Sequence, residues 1–328
     1  MATLKDVAKE AGLSVGTVSR VLNNRGYISD ETRDNVKRAM ARLNYQPNEV
    51  ARSLSKQNSN TIGVIIPSIE HPYFAKVLSC LEQAAHEQGY KLLLFCSRGE
   101  TSREDEYIKA CRSNRVAALI LCTGSVRTSR MRNLGFPLIT YERFINTGDA
   151  GVECDNYEGG RFAARELIQA GCRKLVCLRA IQEVSLPADS RKDGFLDECR
   201  DSGVDAYDYS FPPENLDDME YRDLIRKFLD ACPEADGVFA GSDVIAAQVL
   251  QVCKQRGIRV PQDLKVVGYD DVLLSQMTTP DITTIHQPVR EMAEACVDIV
   301  RRSAEGESLP SRTTFHVSLI RRGSTAVG

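Results

Sequence analysis

The sequence predicts an N-terminal all-α helix-turn-helix head followed by an α/β core of two doubly wound parallel-sheet subdomains. Three observations point there. Over the first 45 positions apolar residues recur at spacings of three and four, the period of short packed helices. From Thr61 onward short, nearly continuous apolar runs alternate with amphipathic segments, in two successive series. Charge is segregated too. Residues 1–60 hold ten Lys and Arg against six Asp and Glu, a net of +4; the whole chain is −3, which leaves −7 on residues 61–328.

Leu4, Val7, Ala8 and Ala11 define one face of the first helix, with Ala8 small where a second helix must cross closely. Gly12 stands where that helix has to stop, because glycine takes a left-handed turn at little cost. Ser14 is a good N-cap for the next helix, whose Val18, Val21 and Leu22 turn back to the same small core. The outer face then carries Val15, Gly16, Thr17, Ser19 and Arg20, a polar, singly basic surface of the kind laid in a DNA major groove. An αα-hairpin in an enzyme can share the glycine turn and serine cap, so the hairpin alone does not decide. The +4 head on an acidic body favours DNA, because the imbalance tracks the motif. Ser29 caps a third helix whose Asp30 and Glu31 suit the positive end of its dipole. Val36, Ala39, Met40 and Leu43 give it an apolar stripe that closes a three-helix domain near Tyr45. Pro47 forces a break, Asn48 can cap a very short helix from Glu49 to Ser55, and the polar run Lys56–Asn60 reads as a linker.

In the core the first series comprises a strand at 62–66, a helix at 73–88, a strand at 91–96, a helix at 102–114 and strands at 117–122 and 138–141. The second comprises a helix at 157–170, strand 175–178, helix 190–201, strand 205–210, helix 218–231, strand 237–240, helix 243–256 and strand 265–269. Strands this poor in polar residues between helices belong in parallel sheets covered on both faces. Two series imply two subdomains with a cleft between them. The chain returns through Ile282–Pro288, a helix at 289–303 and a final extended stretch, Thr313–Leu319.

A hydrophobic content of 42% and a charged content of 27% fit a globular protein and exclude a disordered chain. No apolar run approaches a membrane span, and no export signal is visible. Eleven cysteines without a C-x-x-C pair argue against a zinc site or redox dithiol and suit a reducing cytoplasm. The four histidines do not cluster, so no metal is expected. No G-x-G-x-x-G, P-loop or Ser/His/Asp set is present, so neither a cofactor nor an enzymatic activity is expected.

The blocks Thr3–Asn23, Leu43–Asn48, Ala51–Leu54, Ile62–Pro67, His71–Phe74, Val266–Asp271 and Thr283–Pro288 together resemble the lac repressor/galactose repressor family of bacterial transcription regulators. The resemblance spans essentially the whole chain. It implies a homodimer on a pseudo-palindromic double-stranded operator, a hinge helix in the minor groove, and a core resembling periplasmic sugar-binding proteins. The lack of a leucine heptad after Arg322 favours a dimer over the family's tetramers. The implied boundaries are 1–46 for the DNA-binding domain, 47–60 for hinge helix and linker, and 61–328 for an effector-binding core. Within the core, 61–156 with 286–328 would form subdomain one and 157–282 subdomain two, the chain crossing between them three times.

Carried onto this sequence, the family's pattern puts Val15, Gly16 and Arg20 at base-reading positions and Ser14, Thr17, Ser19 and Asn23 toward phosphates. Arg20 suits a bidentate contact to guanine, worth roughly 1–3 kcal/mol of discrimination. Val15 offers only apolar contact, and Gly16 offers no side chain where relatives often carry a polar reader, so DNA shape has to supply part of the specificity. Leu54 matches a minor-groove wedge, and Ala51, one turn earlier, leaves room for a partner's hinge helix.

Ligand in such a core lies at the carboxyl ends of the strands, in the cleft. The resemblance implies ligand contacts from Ser68, Tyr73, Phe74, Glu142, Arg191, Ser242, Asp243 and Asp270, with the apolar ring contact from Tyr73 and Phe74 and a charge-assisted pair from Arg191 and Asp270. Tyr141–Asn146 is expected to line the cleft. Ser242-Asp243 stands where many relatives have Asn-Asp, and Glu142-Arg143 where Asp-Arg is frequent; Ser185 and Pro187 also depart, so no one relative's ligand carries over. The expected function is a repressor of a carbohydrate-utilisation operon, its operator affinity controlled by a small molecule, most simply a sugar or sugar derivative. A corepressor- or phosphocarrier-protein-dependent global regulator is the alternative within that class. An exported solute-binding protein shares the core, but the basic head and missing signal peptide weigh against it.

Overall fold

A computed structural model describes residues 2–22, 26–46, 59–123, 134–143, 149–180, 185–211 and 219–326. Residues 1–59 and 60–328 form two compact units.

The first unit holds α1 (Leu4–Ala11), α2 (Val15–Leu22) and α3 (Asp30–Arg42). Thr3 opens α1 with a reciprocal cap: its hydroxyl accepts the Asp6 N–H while Asp6 accepts the Thr3 N–H at 2.8 Å. Gly12 ends it at φ +67°, as the turn requires, and Ser29 caps α3. Val7, Ala8, Ala11, Val18, Val36 and Ala39 make the core. Asn35 ties α3 to the turn by donating to the Ala11 carbonyl at 2.8 Å.

The second unit has two lobes. The first is built from β1 (Thr61–Ile66), α4 (Pro72–Glu87), β2 (Lys91–Cys96), α5 (Thr101–Ser113), β3 (Ala118–Leu121), β4 (Leu138–Tyr141) and β5 (Ala150–Cys154). The second follows with α6 (Asn156–Gln169), β6 (Lys174–Ala180), α7 (Ser190–Asp201), β7 (Asp205–Phe211), α8 (Arg222–Ala231), β8 (Gly237–Ala240), α9 (Asp243–Arg256), β9 (Lys265–Asp270), α10 (Leu274–Met277) and β10 (Thr283–His286). The chain then returns to the first lobe with α11 (Val289–Ala304), which packs on α4, and β11 (Thr313–Phe315), and ends with β12 (Ser318–Ile320).

The first sheet has the order β11-β5-β4-β3-β1-β2 with every pair parallel. The second has the order β12-β10-β9-β8-β6-β7, parallel except where β12 runs against β10. The order reverses at β1 in one sheet and at β6 in the other, so the strands' carboxyl ends open a crevice at each reversal. The interior β1, β3, β4 and β8 are buried nearly throughout, which is why they read as unbroken apolar runs.

The structure departs from the sequence expectations in three places. The tail does not belong wholly to the first subdomain: the extended stretch breaks after Phe315, and β12 pairs with β10 in the second sheet. Thr283 draws it there, since its N–H donates to Ser324 Oγ at 2.8 Å and its hydroxyl lies 2.8 Å from Thr325 Oγ1. Strand β5 was not expected, because Gly151 and Glu153 interrupt its apolar run; backbone pairing with β4 and β11 holds it. Helix α8 begins at Arg222, later than the periodicity predicts.

Candidate functional site

In the first unit Ser14 caps α2, its Oγ accepting the Thr17 N–H at 3.0 Å. Burial of Val18 fixes the helix's rotation and turns Ser14, Val15, Gly16 and Arg20 out to solvent, with Thr17 and Ser19 half-buried on the flanks. Val15 stays 41% exposed, an apolar side chain held in water. Gly16 has nothing nearer than Ser14 Oγ, 3.7 Å from where a Cβ would stand, so packing does not demand a glycine there. Asn23, Ala51 and Leu54 lie outside the described residues.

In the second unit the strand ends deliver a continuous buried polar network from one lobe to the other. Arg191, in the first turn of α7, donates through Nε to Asn156 Oδ1 at 2.7 Å and through Nη1 to the Gly241 carbonyl at 3.0 Å. Its guanidinium carbon sits 3.6 Å from the centroid of the buried Tyr269 ring, a cation–π contact. Asp270 Oδ1 lies 3.9 Å from Arg191 Nη1 and accepts from Gln287 Nε2 at 2.7 Å. Gln287 Oε1 accepts from the Tyr73 hydroxyl at 2.9 Å and from the Cys154 thiol at 3.3 Å. Asn156 Nδ2 donates to Glu142 Oε2 at 2.8 Å, while Glu142 Oε1 accepts the Cys154 N–H at 2.5 Å.

The backbone is strained at both acids. Glu142 has φ +53° and Asp270 φ +110°, conformations that cost about 1–3 kcal/mol each and concentrate at functional sites. Burial also works against their charges. It raises the Glu142 pKa against the opposing pull of Arg191 and the bonds from Cys154 and Asn156. It pushes Asp270 up to about 7 against Arg191 and Gln287.

The ends of β2, β3 and β4 add a polar floor in the first lobe. Arg143, 8% exposed, donates to the Cys122 carbonyl at 2.6 Å and to the Glu142 carbonyl at 3.3 Å. Its Nε, with Thr123 Oγ1 and Ser97 Oγ, has no hydrogen-bond partner among the described residues. Buried polar atoms normally find a partner, so these three are competent to take hydroxyls of a ligand. At the mouth Phe74 meets Tyr73 edge-to-face at 5.3 Å and His71 at 5.6 Å. His71 is kept neutral by burial, its pKa near 4, and its Nδ1 accepts the Tyr73 N–H at 3.2 Å. No group of His, Cys, Asp and Glu suited to a metal ion occurs among the described residues.

Residues 3–48 match bacterial regulatory proteins of the lacI family, and residues 164–325 match a periplasmic binding protein-like domain. Over the full length the chain is 33% identical to the ribose operon repressor of Halalkalibacterium halodurans, covering 100% of this chain and 98% of that one. The chain belongs to the lacI family. A second relative of this lacI-family chain is the sucrose operon repressor of Pediococcus pentosaceus, 32% identical over 98% of this chain and 99% of its own. Among solved structures it is similar to the periplasmic binding protein/LacI transcriptional regulator of Alkaliphilus metalliredigens complexed with D-xylulofuranose. That match has a TM-score of 0.74 and 28% identity, over 82% of this chain and 100% of that one.

Of the eight core positions that lacI-family resemblance implied, Tyr73, Glu142, Arg191 and Asp270 meet in the one network, and Phe74 stands beside it. Ser68 and Ser242 serve their own loops: Ser68 Oγ accepts the Glu70 N–H at 3.1 Å, and Ser242 Oγ caps α9 through the Ile245 N–H at 3.3 Å. Asp243 is bonded within its own lobe. It is fully buried, with Oδ1 accepting from Thr284 Oγ1 at 2.6 Å and Oδ2 from the Val272 N–H at 2.9 Å, bonds that tie α9 to β10 and to the turn after β9. Residues 144–146 lie outside the described residues. Sequence reading missed Asn156, Cys154, Tyr269 and Gln287, the groups that join the expected four. Their signal was position: each sits at or beside a crossing between lobes, or at a strand's carboxyl end.

Proposed function

We propose that this chain represses a carbohydrate-utilisation operon, and that a sugar or sugar derivative held between the two lobes sets its affinity for the operator. The observation that carries the reading is the convergence of Arg191 and Asp270 from one lobe with Tyr73 and Glu142 from the other, through Gln287 and Asn156. A polyol can exchange these internal bonds for its own hydroxyls while its apolar face lies against Tyr73 and Phe74. Charge-assisted bonds in so dry a site are about twice as strong as neutral ones. Both relatives reported above are named as sugar-operon repressors, and the solved neighbour holds a ketopentose. They differ in sugar, so the class of ligand carries over and its identity does not.

The head reads the operator in this proposal: Arg20 and Val15 face the bases of the major groove, and Ser14, Thr17 and Ser19 approach phosphates. Asn23, Ala51 and Leu54 complete the contact surface, and two chains bind a pseudo-palindrome as a dimer in the cytoplasm. No helix among the described residues is long and apolar enough to cross a membrane.

A thermal-shift screen of pentoses, hexoses, disaccharides and their phosphates tests the effector assignment. A sugar that stabilises the wild-type chain is expected to lose that effect in Arg191→Ala and Asp270→Ala. Tight sugar binding that leaves operator affinity unchanged overturns the regulatory reading.

A further inference from the structure

Helix α4 reaches Asp270 by two routes, one through Gln287 and one direct. Tyr73 reaches its carboxylate through Gln287, and Lys76, three residues on along the same helix face, reaches its backbone. The Lys76 ammonium crosses from the first lobe to donate to the Asp271 carbonyl at 2.9 Å and to the Asp270 carbonyl at 3.4 Å. Those carbonyls belong to a turn of two consecutive left-handed non-glycine residues, Asp270 at φ +110° and Asp271 at φ +49°. The Asp271 side chain is meanwhile anchored inside the second lobe, to Arg322 Nη2 at 2.6 Å and to His286 Nδ1 at 2.8 Å. One strained turn is thus gripped from behind by its own lobe and from the front by the opposite lobe.

We propose that Lys76 is a positioning residue that clasps the second lobe's Asp270–Asp271 turn to α4, so that movement of Asp270 on ligand binding is passed to the first lobe. The inference rests on the reading of the cleft as an effector site and deepens it by naming how the site is coupled. Lys76 need not touch the ligand. Its two carbonyl partners fix the angle between the lobes at which Arg191, Asp270, Tyr73 and Gln287 come together. The turn holds a conformation that costs free energy on its own, and a charged donor shared by two carbonyls offsets part of that cost. Because α11 packs on α4, the clasp bears on that helix pair of the first lobe.

The test compares Lys76→Met, which keeps the aliphatic stem and removes the donor, with Lys76→Arg, which restores donors to both carbonyls. Amide hydrogen exchange on the ligand-free full-length chain is read over residues 268–274. Faster exchange confined to that segment in Lys76→Met and reversed in Lys76→Arg supports the clasp; unchanged exchange there, or an equal rise throughout the core, overturns it. D-ribose, D-xylulose and sucrose are then titrated by calorimetry. For any that binds the wild type, Lys76→Met is expected to weaken binding about tenfold and Lys76→Arg to recover it. Equal affinity in wild type and Lys76→Met overturns the coupling role. Should none of the three bind the wild-type chain, the effector reading loses its support, while the exchange measurement still decides whether the clasp exists.

Discussion

Neighbouring carboxylates in this core answer to opposite forces. Burial pushes Asp270 up to about 7, so its contribution to stability is present below the unfolded value of 3.8 and is lost as pH rises toward 7. Asp271 is held down at about 2, first by its bond from His286 and then by Arg322, so its contribution is present above 3.8 and lost only as pH falls through 2. Asp270→Asn is therefore expected to gain in thermal midpoint relative to wild type between about pH 5 and pH 8, whereas Asp271→Asn is destabilised throughout that window. Melting curves of the three proteins across the range check both signs; a parallel pH trend for the two variants defeats the assignment. The same pair shows what a sequence discloses. Family resemblance identified Asp270, whereas nothing local distinguishes it from Asp271, because the difference comes from Gln287, His286 and Arg322, which lie 15 to 51 residues away in the chain. The internal partners of Asp243 are as remote: Thr284 and the Val272 N–H, which hold its carboxylate, lie 29 to 41 residues away in the chain.

Between elements, the decisive contact is the crossing of α6 and α7. A Cβ on Gly160 would stand 1.9 Å from the Arg191 carbonyl, and one on Gly194 1.9 Å from the Tyr157 carbonyl, so the two backbones touch. That contact seats Arg191 at the cleft, directly over Tyr269. Gly194→Ala has to push α7 outward, an overpacking cost of about 1–3 kcal/mol or more. It is expected to lower the thermal midpoint by several degrees and to weaken sugar binding although no ligand-facing side chain changes. Preserved affinity at a lowered midpoint would show that Arg191 is held by its own bonds to Asn156 and Gly241 instead. Most elements were legible because each is decided locally: apolar runs for buried strands, caps at Ser14 and Ser29 for helices. Strands β5 and β12 were not, since pairing partners far along the chain hold them more than their own residues do.

Across the whole molecule charge is divided by task, with +4 on the first sixty residues and −7 on the rest. Operator binding is expected to fall steeply with salt, by about 0.9 in log K per unit of log salt for each phosphate neutralised, while sugar binding by the acidic core stays flat. Arg20→Ala is expected to cost roughly 1–3 kcal/mol on the operator and little on unrelated DNA. Anisotropy titrations over a salt series separate the two effects, and equal losses on both DNAs would reduce Arg20 to a phosphate contact. The division of labour does not extend inside the core, where the chain passes between the lobes after β5, after β10 and after β11, and finishes by sealing the second sheet with β12. Neither lobe is one continuous stretch of sequence. An engineer wishing to exchange effector specificity between relatives cannot graft a lobe with a single splice: residues 156–286 would arrive without the strand that closes their sheet. A working chimera has to carry the last dozen residues along with the lobe they complete, and the two lobes are expected to melt in one transition.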